Sequence, residues 1–281
     1  MKIGAIVQAR MSSTRLPGKV GLSLPHGGVK TVLEQVVHRL KRCRTLDGVA
    51  VATTTDKADL AVERLAGKAG AGIFRGSKED VLSRYYGAAA KYGYDAVVRI
   101  TSDCPCVDPG LVDDLVKRHI KSRADYTANV VTLTYPDGYD IEVFSFAALQ
   151  NAHKLAKARP DREHVTAFIR ANPRLFRVVS VEAPSRYRRP DLRLTLDTPE
   201  DYALLCAVYD DLYPRNKTFG IDDVFRLFRR KPWLETINRR SLAKKVLKDE
   251  RAELREAVAV LKLQELHKAA AVVSARLGKK R

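Results

Sequence analysis

With 281 residues, 45% of them hydrophobic, the chain can bury the core of one large α/β domain or of two small ones. No apolar run approaches the ~18–20 residues that cross a bilayer, and four scattered cysteines (Cys43, Cys104, Cys106, Cys206) follow neither a disulfide framework nor a four-ligand zinc spacing. A net charge of +18 asks for an anionic partner, yet no RNP motif, G-x-x-G clamp or finger spacing accompanies it, so no specific nucleic acid is expected.

Residues 3–7 read as a short buried strand, and because the chain enters it at once no signal peptide is expected. A reduced, cytoplasmic protein is the expectation. Next comes Ala9-Arg10-Met11-Ser12-Ser13-Thr14-Arg15-Leu16-Pro17-Gly18-Lys19. A loop with these cations after a buried strand can hold a polyphosphate. Arg10 and Arg15 grip phosphate in a fork and Lys19 adds a point charge. The hydroxyls of Ser12, Ser13 and Thr14 and the loop amides can add hydrogen bonds. It is neither a Walker A loop nor a G-x-G-x-x-G turn. A solvated basic loop would have the same composition.

Thr31 and Glu34 form a capping box for a helix running to about residue 44, with Leu33, Val36, Val37 and Leu40 on one face. Residues 49–53 read as a strand, 59–69 as a helix, 73–74 as a short strand and 80–92 as a helix. Residues 95–100 read as a strand and 109–122 as a helix. This alternation predicts an α/β fold with a doubly wound, mainly parallel sheet. Ligands bind such sheets outside the carboxyl ends of the strands, where the 9–19 loop and Asp103 both fall. The second half is mixed. Strands are expected at 140–145, 176–181 and 193–196, and helices at 146–158, 162–172 and 199–213, the last with proline at its first position.

The α/β domain is expected to span residues 1–235, followed by a basic helical extension, 236–281. Residues 241–281 hold 11 Lys+Arg against 5 Asp+Glu. Leu247, Leu254 and Leu261 are seven apart, with Val258 between the last two. One long helix is expected, packing on its own domain or on a sister subunit. A basic helix also allows weak peripheral contact with an anionic membrane.

A family resemblance begins in the 9–19 loop. Ala9, Arg10, Ser13, Arg15, Leu16, Pro17 and Lys19 match A-R-x-x-S-x-R-L-P-x-K, the signature of sugar cytidylyltransferases, which make CMP-activated sialic acids and CMP-Kdo. The nearer resemblance is to their spore coat polysaccharide branch. It covers roughly residues 1–235. The implied fold is that of nucleotide-diphosphosugar transferases. The implied reaction transfers CMP from CTP to a sugar or sugar acid with release of pyrophosphate, for polysaccharide or glycan precursor synthesis.

The segment around Asp103 resembles the family's R-I-T-x-D-C-P, and that around Asp197 its D-T-P-E-D. The resemblance implies that both aspartates hold Mg²⁺. Read alone, Asp103 could cap the next turn, and Asp197 could equally be an N-cap. Thr101 belongs to the first segment. Cys104 and Cys106 read as structural. Gly76, Ser77, Asp80 and Arg84 resemble R-G-S-x-x-D-V-L-x-R, placed beside the nucleotide, and double as a capped helix start with Ser77 as N-cap. Thr53 and Thr54 match the loop near the base. Asp140 and Glu142 resemble D-G-x-D-x-E-V-F, a wall of the acceptor site, and Arg162, Glu163 and His164 resemble R-E-H-V. Asp140 and Glu142 could position the acceptor, or one could take its proton. No His spacing suggests a metal site. A homodimer is expected from dimeric relatives.

Three alternatives stay open. A nucleotidyltransferase using another base with a sugar 1-phosphate would have a loop richer in glycine. A metal-dependent glycosyltransferase would show D-x-D, which Asp103-Cys104-Pro105 is not. An anion-binding or membrane-associated protein would bind polyanions in a salt-sensitive way without turnover.

Overall fold

The structure is a computed structural model that describes residues 1–239 and 249–278. The chain divides into two compact units, Met1–Ser241 and Leu242–Arg281.

The first unit is built on β1 (Ile3–Gln8), β2 (Gly48–Thr54), β3 (Gly72–Gly76), β4 (Ala96–Thr101), β5 (Tyr126–Ala128), β6 (Glu142–Ser145) and β7 (Val178–Ser180). They form one sheet in the order β3-β2-β1-β4-β6-β5-β7. The β1–β2, β1–β4, β2–β3 and β5–β7 pairs are parallel, and β6 runs antiparallel to β4 and β5.

The helices are α1 (Val32–Leu40), α2 (Leu60–Lys68), α3 (Val81–Tyr92), α4 (Pro109–Ser122), α5 (Phe146–Leu155), α6 (Arg159–Glu163), α7 (Ala167–Ala171), α8 (Pro199–Leu212) and α9 (Ile221–Arg230). β1 shows how the sheet is buried on both faces. Ile3, Ala5 and Val7 join a core with Val36, Val37, Leu40 and Val62 from α1 and α2 and with Leu115 from α4. Ile6 points the other way, into a core with Leu82 and Tyr85 from α3 and Leu149 from α5. Alternation of side chains along a strand feeds both layers. A third core joins Leu194 and Leu196 to Leu204, Val208 and Tyr209 of α8 and Val224 of α9.

Several expectations are corrected. Residues 193–196 form no strand; Arg193 makes only an isolated bridge with Asp137. The 162–172 helix is two short ones, broken where Val165 takes φ 44°. α1 ends at Leu40 and α5 at Leu155. Asp80, not Ser77, caps α3, accepting from the Ser83 amide at 2.9 Å. The three-residue strand β5 and the amphipathic helix α9 were not anticipated.

The second unit holds α10 (Glu250–Leu263) and α11 (His267–Gly278), not one long helix. Between them Glu265 takes φ 57°, which reverses the chain, and the two helices pack on each other. Leu254, Val258 and Leu261 are half-buried there, whereas Leu247 lies outside the described residues. Residues 249–278 carry five cations and five acids, so the basic excess of the tail falls on residues outside them. Among the described residues no helix is long and apolar enough to cross a membrane.

Candidate active site

Parallel pairing puts the ends of β1–β4 along one edge. Gln8 lies opposite Ala52 and Thr101, and Thr54 opposite Gly76. The loops after these strands carry most of the expected site residues.

The 9–19 loop is folded by its own backbone. The Gly18 amide donates to the Met11 carbonyl at 3.0 Å, and Gly18 takes φ 70°, a conformation suited to glycine. Ala9 is anchored by its amide on the Ala52 carbonyl (3.2 Å). The Met11 amide donates to buried Asp59 (2.7 Å), which also accepts from the Thr54 hydroxyl. Asp59 is thus a clamp on this loop. Sequence reading used it only as a helix start. Ser13 accepts from the Leu16 amide at 3.4 Å. The amides of Ser12, Ser13 and Thr14 have no protein partner among the described residues, and Arg10 and Ser12 are exposed. Loop amides not committed to the protein can serve an anion.

Lys19 opens a turn of 3-10 helix, Lys19–Gly21, which carries its side chain between the two aspartates. Its Nζ lies 2.8 Å from Asp103 Oδ2 and 2.9 Å from Asp197 Oδ1, and donates to the Leu196 carbonyl at 2.8 Å. The Arg15 guanidinium pairs with the other oxygen of Asp197, Oδ2, at 2.9 Å. Residues 84 and 178 positions from Lys19 thus converge on one ammonium. The Leu196 amide donates to the Asp103 carbonyl (2.8 Å), stapling the two segments together.

Asp197 is not a helix cap. Thr198 and Asp201 form the capping box of α8, and Asp201 Oδ2 also accepts from the Asp197 amide at 3.0 Å. Asp201 is fully buried and paired with Arg193 and Asn238. This leaves the Asp197 carboxylate free of capping duty. Asp108, not Asp103, caps α4. Burial opposes charge on both Lys19 and Asp103. Their mutual attraction outweighs it, so Asp103 is held below the usual carboxylate range and Lys19 above the usual ammonium value.

The segment around Asp137 and Asp140 is pinned to the Asp197 segment at Gly138. At φ 105°, a Cβ there would come within 2.7 Å of the Leu194 backbone. The Asp137 amide donates to the Leu192 carbonyl and the Leu194 amide to the Asp137 carbonyl, at 3.0 and 2.7 Å. Asp137 and Asp140 are thereby drawn toward Asp103. Burial, then Asp103, raises Asp137. Burial, then Asp137, Glu142 and Asp103, pushes Asp140 up to about 7.

The sign follows for stability. A raised carboxyl binds its proton more tightly in the folded state. Its contribution is fully present below the unfolded value of about 4 and is lost as pH rises through about 7. Asp140→Asn should remove that loss, on the order of 1–3 kcal/mol between pH 4.5 and 8 after allowing for solvent screening. Denaturant midpoints at the two pH values measure it. An unchanged pH slope in the variant would show that Asp140 does not carry the effect.

The structure separates Asp140 from Glu142. Glu142 is 3% exposed and accepts from Tyr126 (2.6 Å), Thr166 (2.5 Å) and Arg99. Its hydrogen-bonding capacity is used inside the protein. Asp140 has no hydrogen bond among the described residues. Arg162 is likewise engaged. It pairs with Asp80 at 2.9 Å and donates to the His153 and Ala156 carbonyls, tying α6 to α3. Glu163 and His164 are exposed at the end of α6.

Near the expected base, Thr53 is fully buried and its hydroxyl has no partner among the described residues. Arg84 is buried and donates to the Ser77 carbonyl at 2.6 Å, beneath the loop that follows Gly76. The Thr101 hydroxyl lies 3.1 Å from the Cys104 sulfur. All four cysteines are free, and burial raises the thiols of Cys104 and Cys106.

Among the described residues no group of three or more His, Cys, Asp or Glu side chains forms a metal cage. The donor set is instead two carboxylates that already share one cation. That is the kind of set Mg²⁺ takes when phosphate oxygens and water complete its shell.

Residues 4–221 match the family model for cytidylyltransferases. The chain is 39% identical over 242 residues to an uncharacterized protein of Methanocaldococcus jannaschii, covering 85% of this chain and 95% of that protein. It is 38% identical over 209 residues to the spore coat polysaccharide biosynthesis protein SpsF of Bacillus subtilis, covering 73% and 85%. A solved cytidylyltransferase from Leptospira borgpetersenii matches with TM-score 0.78 and 32% identity, covering 87% of this chain and 100% of that one.

Proposed function

The chain belongs to the cytidylyltransferase family, and from that premise we propose that it transfers CMP from CTP to a hydroxyl of a sugar or sugar acid, releasing pyrophosphate, in the supply of surface polysaccharide precursors. Its sheet and flanking helices are of nucleotide-diphosphosugar transferase type. The observation that carries the reading is the convergence of Lys19, Arg15, Asp103 and Asp197 beneath a loop of open donors.

In this reading the exposed Arg10, the amides of residues 12–14, and Arg15 hold the triphosphate. Lys19 has a flexible stem and a point charge, so it can trade carboxylates for phosphate oxygens as CTP arrives. Thr53 and Thr54 stand at the base end, with Gly76, Ser77 and Arg84 supporting the neighbouring loop. Asp103 and Asp197 would hold Mg²⁺. Bound there, the ion would polarise the α-phosphate and offset the charge of the leaving pyrophosphate. Catalysis by the protein is then positioning and charge stabilisation for in-line attack. Asp140, with Asp137 beside it, faces the acceptor. Glu142, Asp80 and Arg162 support the walls, and Glu163 and His164 lie at the rim. A homodimer, a cytoplasmic setting and weak membrane contact through the basic residues of the tail complete the proposal, with the nucleotidyltransferase domain at 1–235 and the extension at 236–281.

The test is pyrophosphate release with Mg²⁺, offering CTP, UTP, GTP and ATP against a pool of sugar acids and sugar phosphates. Release with CTP alone is expected. Release driven by another nucleotide would overturn the base assignment.

A further inference from the structure

We propose that the groove between α1 and α2 is a second anion-binding site, sharing no residue with the Lys19 centre, that takes a compact multivalent oxyanion of the phosphate class.

The groove is a cavity of about 310 Å³ lined by Lys30, Glu34, His38, Lys41, Arg42 and Lys68. A volume near 300 Å³ is the lower end of the range for small-molecule pockets. This argues for a small ligand rather than a macromolecular surface. Glu34 and His38 lie one turn apart on α1, and Lys30 and Arg42 flank its two ends. Lys68 reaches in from the end of α2.

Four permanent cations face one carboxylate, and that carboxylate is already committed. Glu34 accepts from the Thr31 amide at 2.7 Å to complete the capping box and pairs with Lys68 at 3.2 Å. Lys41 leans on the Ala69 and Gly70 carbonyls with long contacts of 3.4 and 3.3 Å. The Lys30 and Arg42 side chains make no hydrogen bond or ion pair among the described residues. His38 Nε2 is buried with no hydrogen-bond partner there.

Among the described residues that line the cavity, Glu34 is the only acid. Burial, then Lys30, Arg42, Arg39 and Lys217, holds the His38 imidazole below its usual value. Like charges packed around a concavity repel one another unless an anion sits among them. A tetrahedral oxyanion offers several acceptors to the Arg42 fork and the Lys30 point charge together.

The test uses inorganic pyrophosphate as probe on the full chain and follows the His38 ring resonance by NMR, assigned with His38→Gln. Following one residue keeps this separate from pyrophosphate binding at the Lys19 centre. Saturating pyrophosphate should raise the His38 pKa by at least about half a unit, because an adjacent anion favours imidazolium. The double variant Lys30→Gln/Arg42→Gln should weaken the affinity read at His38 at least tenfold. It should leave CTP-dependent turnover unchanged. Neither side chain bears on the core, and an unchanged thermal midpoint checks that the variant is folded. Three outcomes would overturn the proposal: no response at His38, an equal response to sodium chloride at matched ionic strength, or a response that survives in the double variant.

Discussion

Asp103→Asn and Asp197→Asn should each lower CTP-dependent pyrophosphate release by on the order of a thousandfold, while the protein stays folded. The two carboxylates sit on opposite sides of one ammonium. Replacing either leaves the other paired with Lys19, and Arg15, which loses its Asp197 partner in the second variant, is partly exposed to water, so the thermal midpoint should hold within a few degrees. The chemistry is less forgiving. A site for phosphoryl transfer works by fixed charges around the reacting phosphorus, and losing one such group typically costs ~10²–10⁵ in rate. Raising Mg²⁺ should recover part of the loss in either variant if the carboxylates hold the ion. Normal turnover in one variant would remove that residue from the site.

The same triad predicts a broad pH plateau. Asp103 is depressed, so its stabilising pairing is present above the unfolded value of about 4 and lost as pH falls below it. Lys19 is raised, so its share is present below the unfolded ammonium value of about 10.4 and lost above it. Between these limits the Lys19–Asp103 pair stays charged, and any activity change near neutral pH must come from another group.

Glu142→Gln should destabilise the protein by about 3–5 kcal/mol, the cost of leaving one partner of a buried ion pair without its counter-charge. Arg99 is the stranded group. Its guanidinium pairs with Glu142 and makes a long 3.3 Å contact to Gln8, with Tyr85 beside it. Glutamine keeps the shape that Tyr126 and Thr166 pack around, so the loss reports charge rather than volume. Urea or guanidinium midpoints at constant slope give the value. Arg99→Met combined with Glu142→Leu should recover much of the loss, because an apolar pair needs no counter-charge. A loss below about 1 kcal/mol in Glu142→Gln would mean that the pair is solvated and that Glu142 is available to the acceptor after all.

Much of this was legible along the chain. The Thr31–Glu34 capping box, the alternation of strand and helix through residue 122, and the placement of the 9–19 loop and Asp103 after strands all depend on neighbours close in sequence. Where local signals competed, the reading slipped. Residues 193–196 have a strand-like pattern, but they bond to Asp137 and Asp103 through a few loop hydrogen bonds instead of a ladder. Ser77 and Asp80 are both good caps, and only the path of the chain into α3 chose the second. The 241–281 periodicity ran across a reversal at Glu265, because the apolar positions of two packed helices can share one register in sequence.

The sequence by itself determined the fold class and the chemical kinds gathered for the reaction, since hydrophobic period, caps and charged loops are local properties. Only the tertiary structure decided their division of labour. That the Asp197 carboxylate is free of the α8 cap depended on Asp201, four residues away, joining Thr198 in the capping box. That Glu142 is committed inside the protein depended on Arg99, Tyr126 and Thr166, which arrive from three separate segments to occupy it. A carboxylate's role is set by which donors desolvate and satisfy it, and those donors are brought together only by folding.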